Sequence, residues 1–184
     1  MTTFVDADGK LLLTIHANAE IVALNAPEGG IAVIDPPSSQ GYYYYCHADC
    51  EWRSIPDQPS RWHSFDCASR TWVDNKTLED AKVDKWAEIK DARDQLEFGG
   101  FEFDGGTYDS DQLSQGRIMG AAAAGVDQTW TLADNTTAEL SASQLQQLYA
   151  ALQAHIASAH ERGRIARQLI FDAETKEQVE AVQL

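Results

Sequence analysis

The sequence predicts an α+β protein: a small all-β module over residues 1–76, then a mainly helical domain with two β-hairpins over residues 77–184. Three observations lead to this division. All five prolines of the 184-residue chain lie before residue 77, and proline breaks helices. Short apolar runs alternate with turn sequences in the first part. In the second part, apolar residues recur with the helical period.

Four apolar runs of five residues each are the expected strands of the first part. Turn sequences such as Asp8-Gly9 separate them, and glycine and proline at such points interrupt regular structure. No internal repeat is expected. The runs cover residues 11–15, 20–24, 30–34 and 42–46.

The first elements of the second part have clear end signals. Thr77 with Asp80 resembles a capping box, which opens a helix, and Gly99-Gly100 is expected to end that helix. Alternating apolar and polar residues around Asp104-Gly105 predict a β-hairpin. A second helix is expected over residues 110–124, capped by Asp109, and a second hairpin is expected to turn at Asp134-Asn135. A long helix should open at Ser141 with Gln144 and end near residue 170. A short helix over residues 173–182, capped by Asp172, should follow it.

Apolar residues of the long helix recur at nearly heptad spacing over about three to four heptads. Two interpretations of this stripe stay open: it lies in the core of its own domain, or it forms a seam between copies. On the second interpretation the protein is a homo-oligomer, which we take to be a trimer. The stripe comprises Leu145, Leu148, Leu152, Ile156, Ala159, Ala166 and Leu169.

Composition excludes some classes of function. The formal net charge of −15 argues against binding nucleic acid or an anionic membrane through charge, because both need a basic surface. The longest nearly apolar run, residues 118–126, is far too short to span a membrane, so no membrane insertion is expected. The first residues carry no secretory signal, and three cysteines fit a reducing compartment.

The sharpest metal-like pattern is Cys46-x3-Cys50-x12-His63-x3-Cys67, which has the spacing of a small zinc site. Two prolines between Cys50 and His63 exclude the helix that a zinc finger uses. A tight three-residue hairpin loop would place Cys46 and Cys50 opposite each other. Buried cysteines acting as small apolar side chains are the favoured interpretation, and no metal or cofactor is predicted.

No catalytic motif is present. The chain lacks a nucleophile elbow, a phosphate loop, a dinucleotide fingerprint and a zinc-protease helix motif. His155 and His160 are five positions apart on the long helix, which predicts that they lie on different faces. Aspartates near residues 6–8 and 104–111 lack the terminal glutamate of a calcium loop and are interpreted as turn and cap residues. We therefore expect a protein that is not an enzyme.

Four consecutive tyrosines, Tyr42 to Tyr45, offer a possible recognition surface. In a strand, two would point to each face, so one pair can pack inward while the other meets a partner. Tyrosine combines large contact area with a polar tip. The alternative is a strand covered on both faces. The candidate partner-binding residues are Tyr42, Tyr43, Tyr44, Tyr45, Trp72 and Trp86.

Two groups of motifs resemble parts of bacteriophage tail proteins. The stretch His63-Ser64-Phe65-Asp66-x3-Arg70-Thr71-Trp72-Val73-Asp74 resembles the small β module that opens many tail-fibre-associated proteins. The second half is similar to a domain of unknown function common at the C-termini of phage tail proteins. Its matching pieces are Trp86-x2-Ile89-Lys90-x2-Arg93-Asp94, Gly99-Gly100-Phe101-x-Phe103, Tyr108-Asp109-Ser110-Asp111, Gly120, Trp130 and Leu140-Ser141.

This resemblance implies a structural component of a phage tail, a connector at the baseplate or tail fibre. Such a protein would be made in the host cytoplasm and located in the virion tail. Its partners would be other tail or baseplate proteins and the tail fibre. The alternative is a tail-fibre assembly chaperone that is absent from the mature virion. Neither family carries catalytic residues over to this chain.

Overall fold

The computed structural model describes residues 1–36 and 42–184. The fold is a mixed α+β one in two compact units, Met1–Lys76 and Thr77–Leu184. The N-terminal unit opens with a three-stranded antiparallel sheet of β1 (Thr2–Val5), β2 (Leu11–Ile15) and β3 (Ile31–Val33), in the order β2-β1-β3. The central strand β1 is the best buried of the three, and β2 and β3 form the edges.

Helix α1 (Ala19–Asn25) replaces one of the predicted strands. Asn18 is its N-cap, and the Asn18 side chain accepts a hydrogen bond from the backbone N–H of Ile21 at 3.0 Å. Such a cap satisfies a helix-end donor and favours helix over strand. The strand predicted for residues 20–24 is therefore wrong, and the N-terminal unit is not all-β.

Two β-hairpins complete the N-terminal unit, and they repeat one pattern. Strand β4 (Tyr43–Cys46) pairs with β5 (Glu51–Ser54), and β6 (His63–Asp66) pairs with β7 (Thr71–Asp74). Aligned at an offset of twenty positions, the hairpins share a loop alanine and a second-strand tryptophan. The two hairpins thus repeat one structure, although these two residues are all that their sequences share at this offset.

The C-terminal unit begins as predicted. Helix α2 (Leu78–Phe98) opens at a capping box of Thr77 and Asp80. A hairpin of β8 (Phe101–Phe103) and β9 (Gly106–Tyr108) follows. Its turn residues Asp104 and Gly105 have φ angles of 49° and 78°, as a two-residue hairpin turn requires.

Helix α3 (Gln112–Ala124) begins two residues later than predicted. Its N-cap is Asp111, not Asp109, because the Asp111 carboxylate accepts the backbone N–H groups of Leu113 and Ser114. The hairpin of β10 (Gln128–Thr131) and β11 (Thr137–Leu140) comes next, with its turn around residues 134–135.

Helix α4 (Ala142–Asp172) is the longest element and opens at the predicted capping box of Ser141 and Gln144. The last helix, α5 (Lys176–Glu180), is shorter than predicted. Asp172 is the final residue of α4 and does not cap α5. That cap is Thr175, which forms a capping box with Gln178.

Helix α4 carries the core of the C-terminal unit along its length. Its first half packs against α3 and the two hairpins, and its second half packs against α2 and α5. The apolar stripe is therefore core, the first of the two interpretations. Its last member is Ile170, and Leu169 is 53% exposed, contrary to the prediction. The buried positions are Leu145, Leu148, Leu152, Ala159, Gly163, Ala166 and Ile170.

Candidate functional site

The repeated hairpins of the N-terminal unit bring together most of the candidate residues. In each hairpin an aromatic residue of the first strand faces the tryptophan of the second. The Tyr45 and Trp52 rings are 5.4 Å apart at 71°, and the Phe65 and Trp72 rings are 5.4 Å apart at 74°. Tyr44 joins the two hairpins, with its ring 5.5 Å from that of Phe65. Aromatic edge-to-face contacts of this kind favour a fixed geometry.

The loops of the two hairpins also share their backbone form. The last loop residue has a left-handed φ in both cases, 56° at Cys50 and 58° at Arg70. Cys46 lies opposite Glu51 in the register, so the predicted pairing of Cys46 with Cys50 across the hairpin is wrong. The loop holds four residues, one more than that prediction assumed.

Hydrogen bonds hold the pKa of one carboxyl group in each loop below its ordinary value. For Asp49 the largest cause is the hydrogen bond from the Cys46 thiol, and the Arg53 guanidinium adds to it. For Asp66 the largest cause is the hydrogen bond from the Ser69 hydroxyl, at 2.6 Å. Asp49 is exposed and Asp66 is partly buried, and the main hydrogen bond of each is made within its own hairpin.

The four tyrosines divide differently from the prediction of one inward pair. Tyr44 and Tyr45 are 8% and 7% exposed, although neighbours in a strand point to opposite faces. The strand is thus covered on both faces, by Phe65 on one and by Trp52 on the other. Tyr42 is 85% exposed and Tyr43 is partly buried, so these two remain available to a partner.

The two candidate tryptophans lie in different units and differ in role. Trp86 packs on the cluster around Ile89 in the C-terminal unit, with the Arg167 guanidinium 5.7 Å from its ring centre. Trp72 is partly exposed, yet its Nε1 atom is closed to water and has no hydrogen-bond partner among residues 1–36 and 42–184. An unpaired buried donor costs about 1–3 kcal/mol.

The zinc-like residues serve local contacts. Within the described chain, no three His, Cys, Asp or Glu side chains gather into a possible metal site. Cys46 is buried and Cys50 is exposed. His63 Nδ1 lies 2.9 Å from the Ser60 hydroxyl. Burial raises the pKa of the Cys67 thiol, which leaves it a poor ligand and nucleophile.

Strand β2 forms an apolar edge that sequence patterning missed. Among the described residues it pairs with β1 alone. Its three leucines, Leu11, Leu12 and Leu13, are 45%, 41% and 38% exposed. A run of consecutive apolar residues is typical of a strand buried on both faces, so the exposure of β2 does not follow from its composition. The nearby helix α1 has no buried residue, and its Leu24 is 84% exposed.

Both histidines of α4 reach the C-terminal end of α2, although their spacing predicted different faces. His155 Nε2 lies 2.8 Å from the Leu96 carbonyl oxygen. His160 Nε2 lies 3.0 Å from the Glu97 carboxylate. Ser110, which is fully buried, donates to the Glu97 carbonyl at 2.6 Å. Because the last carbonyls of a helix lack partners within it, these side chains fix the end of α2.

The C-terminal unit is thus a helical domain arranged along one long helix, with two hairpins beside it. The sequence profile described as Domain of unknown function (DUF4376) matches residues 80–183, more than half of the chain. The chain belongs to this family. No match was found among curated proteins or among solved structures. In the described part of the chain, no helix is both long and apolar enough to cross a membrane.

Proposed function

We propose that the protein acts by protein–protein binding, without catalysis, as a structural component of a bacteriophage tail. Its place there would be a connector at the baseplate or tail fibre. The observation that carries the binding function is the exposed apolar edge strand β2, with Leu11, Leu12 and Leu13. The resemblance of the sequence motifs to phage tail proteins supports the location in the virion tail.

An edge strand such as β2 offers unpaired backbone N–H and C=O groups along one side. A strand from another protein can add to that side by main-chain hydrogen bonds, and side-chain contacts then give specificity. The three leucines supply apolar area on both faces of such an added strand. Native proteins protect or shorten edges of this kind, so an apolar edge strand that pairs with β1 alone among the described residues favours a partner.

Fewer tyrosines are available to a partner than the four candidates that the sequence offered. Tyr44 and Tyr45 hold the hairpin together, so truncating them would disturb the fold before it disturbed a contact. Tyr42 and Tyr43 keep the exposed area that a partner could bury. Aromatic residues of this kind are common anchors of interfaces.

A homo-oligomer, taken to be a trimer, is also part of the proposal. The stripe on α4 packs within its own unit and does not serve as the seam. Exposed apolar residues near the end of α4 are the available contacts, with Ile165 and Leu169 each 53% exposed and Phe171 75% exposed. Light scattering of the purified full chain would give the copy number.

The test is the number of copies per purified phage particle, measured by quantitative mass spectrometry. Several copies per particle are expected for the wild type. Leu12→Asp should reduce that number, because a carboxylate on the β2 edge opposes burial against a partner. The control is Leu113→Asp, which changes a leucine of α3 that is 63% exposed, against 41% for Leu12, and should leave the number unchanged.

Absence from wild-type particles would contradict the virion assignment. If the fibre also became insoluble without this protein, the assembly-chaperone alternative would take its place.

A further inference from the structure

The two repeated hairpins differ in the hydrogen bonding of one atom, the indole nitrogen of the second-strand tryptophan. In the first hairpin the Trp52 indole N–H donates to the backbone carbonyl of Ile34 at 2.8 Å. Ile34 directly follows strand β3, so the acceptor comes from the end of an extended apolar segment. The tryptophan of this hairpin is therefore paired with a backbone carbonyl from outside the hairpin.

The second hairpin has the same donor without the acceptor. Trp72 stands at the position equivalent to Trp52, and its Nε1 atom has no partner within residues 1–36 and 42–184. The two ring pairs have nearly the same separation and angle. Because the Trp52 N–H donates to a carbonyl while its ring keeps the edge-to-face contact with Tyr45, we expect the Trp72 N–H to be directed away from the Phe65 ring as well.

We propose that the Trp72 indole N–H is a binding site for a backbone carbonyl at the end of an extended apolar segment of a partner protein. The inference rests on the proposed protein-binding function and names the chemistry of one contact. A second copy of this chain is a poor donor of that segment, because its residues 31–34 already serve its own Trp52. The occupant is thus a strand of a different protein.

The Trp72 ring is partly exposed although its nitrogen is covered. On this proposal, a rotation of the partly exposed indole would bring the covered nitrogen to the partner's carbonyl. Binding would pair a donor that has no partner within residues 1–36 and 42–184, and satisfying such a buried donor favours the complex. The indole proton resonance of Trp72 reports this event directly.

The experiment uses the 15N-labelled full chain and a synthetic peptide, GIAVIDP, which copies residues 30–36. In the free protein, the Trp72 indole proton should resonate upfield of the Trp52 proton, because only the latter is hydrogen-bonded. Addition of peptide to about 1 mM should move the Trp72 cross-peak downfield in a saturable way and leave the Trp52 cross-peak in place. A peptide with a thioamide at the Ile34 position should bind more weakly, since sulfur is a poor acceptor.

Two matched variants replace a tryptophan by benzothienylalanine, which has the same shape and no N–H. At Trp72 this change should weaken peptide binding about tenfold and leave the melting temperature of the free chain unchanged or higher. At Trp52 it should lower the melting temperature, because the Ile34 carbonyl loses its donor.

An unmoved Trp72 cross-peak at about 1 mM peptide, or full peptide affinity in the Trp72 variant, would overturn the inference. Either result would leave the proposed function standing, because the number of copies per particle tests that function separately with the Leu12→Asp variant of β2.

Discussion

Single polar side chains set the ends of elements in this protein. The fully buried Ser110 accepts the Gly100 N–H at 2.9 Å and donates to the Glu97 carbonyl at 2.6 Å, so one hydroxyl links the end of α2 to the start of the next segment. The loop carboxylate of Asp66 works in the same way, since it accepts from Ser69 and from a backbone N–H. Such bonds are worth about 0.5–1.5 kcal/mol each when neutral.

The pKa of Asp66 provides a residue-scale prediction. Hydrogen bonds lower this pKa from 3.8, with the Ser69 hydroxyl as the largest cause. A group whose pKa is lower in the folded state stabilises the fold above its unfolded pKa, and that stabilisation is lost as the pH falls through the lower, folded value. The hairpin should therefore lose stability below about pH 4.

We expect a carboxyl-carbon NMR titration of Asp66 to give a pKa below 3.8. In Ser69→Ala the value should rise toward that number, because the main hydrogen bond is gone. A wild-type pKa at or above the ordinary value, or one that Ser69→Ala leaves unchanged, would contradict the assignment.

At the scale of elements, the turn between β1 and β2 lies against β4. The Tyr45 N–H donates to the Gly9 carbonyl at 2.8 Å. A Cβ at Gly9 would lie 1.9 Å from the Tyr45 carbonyl oxygen, and Gly9 has a φ of 87°. Glycine is therefore required at position 9 for two reasons, the left-handed backbone conformation and the closeness of the neighbouring strand.

Gly9→Ala should destabilise the N-terminal unit by clearly more than the cost of a left-handed alanine, which is about 1–2 kcal/mol. Gly29→Ala is the matched control, because Gly29 has a φ of 71° and nothing within 4 Å of an added Cβ. Chemical unfolding of both variants measures the difference, which is the cost of the contact with Tyr45. Equal losses in the two variants would show that the turn and β4 can separate.

A second prediction at this scale concerns the register of α4. Leu148→Ala should cost about 2–5 kcal/mol, because Leu148 is fully buried in the core with α3. Leu169→Ala should cost about 0.5 kcal/mol or less, because that leucine is 53% exposed. Chemical unfolding of both variants compares two identical substitutions on one helix. A large loss of unfolding free energy in Leu169→Ala would show that Leu169 belongs to the buried stripe, as the sequence predicted.

Local signals account for what the sequence predicted well. Some features depend only on neighbours within a few positions, so they can be predicted from the sequence. These are the capping boxes at Thr77 and Ser141 and the turn at Asp104-Gly105. Helix α1 was not predicted, because the apolar run over residues 20–24 was given more weight than the cap signal of Asn18. Leu169 and Ile170 are adjacent and equally apolar, so spacing alone could not decide which of them faces α2.

The candidate site was predictable only in part, for a related reason. Tyr42 to Tyr45 stood out by composition, but their burial depends on Phe65 and Trp52, which reach them through tertiary packing. The repeat that contains Trp72 was readable in principle, because an aromatic residue precedes tryptophan by seven positions in both hairpins. That the Trp72 N–H has no partner within residues 1–36 and 42–184 depends on tertiary packing, which the sequence does not give.

At the scale of the whole molecule, the two units divide the work of the proposed function. The C-terminal unit, which matches the DUF4376 family model over residues 80–183, has buried apolar clusters along the length of α4. The N-terminal unit exposes large apolar side chains on β2 and on α1. Exposed apolar area of this kind marks binding surfaces in soluble chains, so the N-terminal unit is where we expect a partner to bind.

The most direct measurement is hydrogen exchange with mass spectrometry on the full chain, free and bound to purified phage tails. The account predicts slower exchange in residues 11–15 on binding, because a strand added to β2 would engage its free backbone N–H groups. Failure to bind tails, or bound protein whose exchange in residues 11–15 is unchanged, would contradict it.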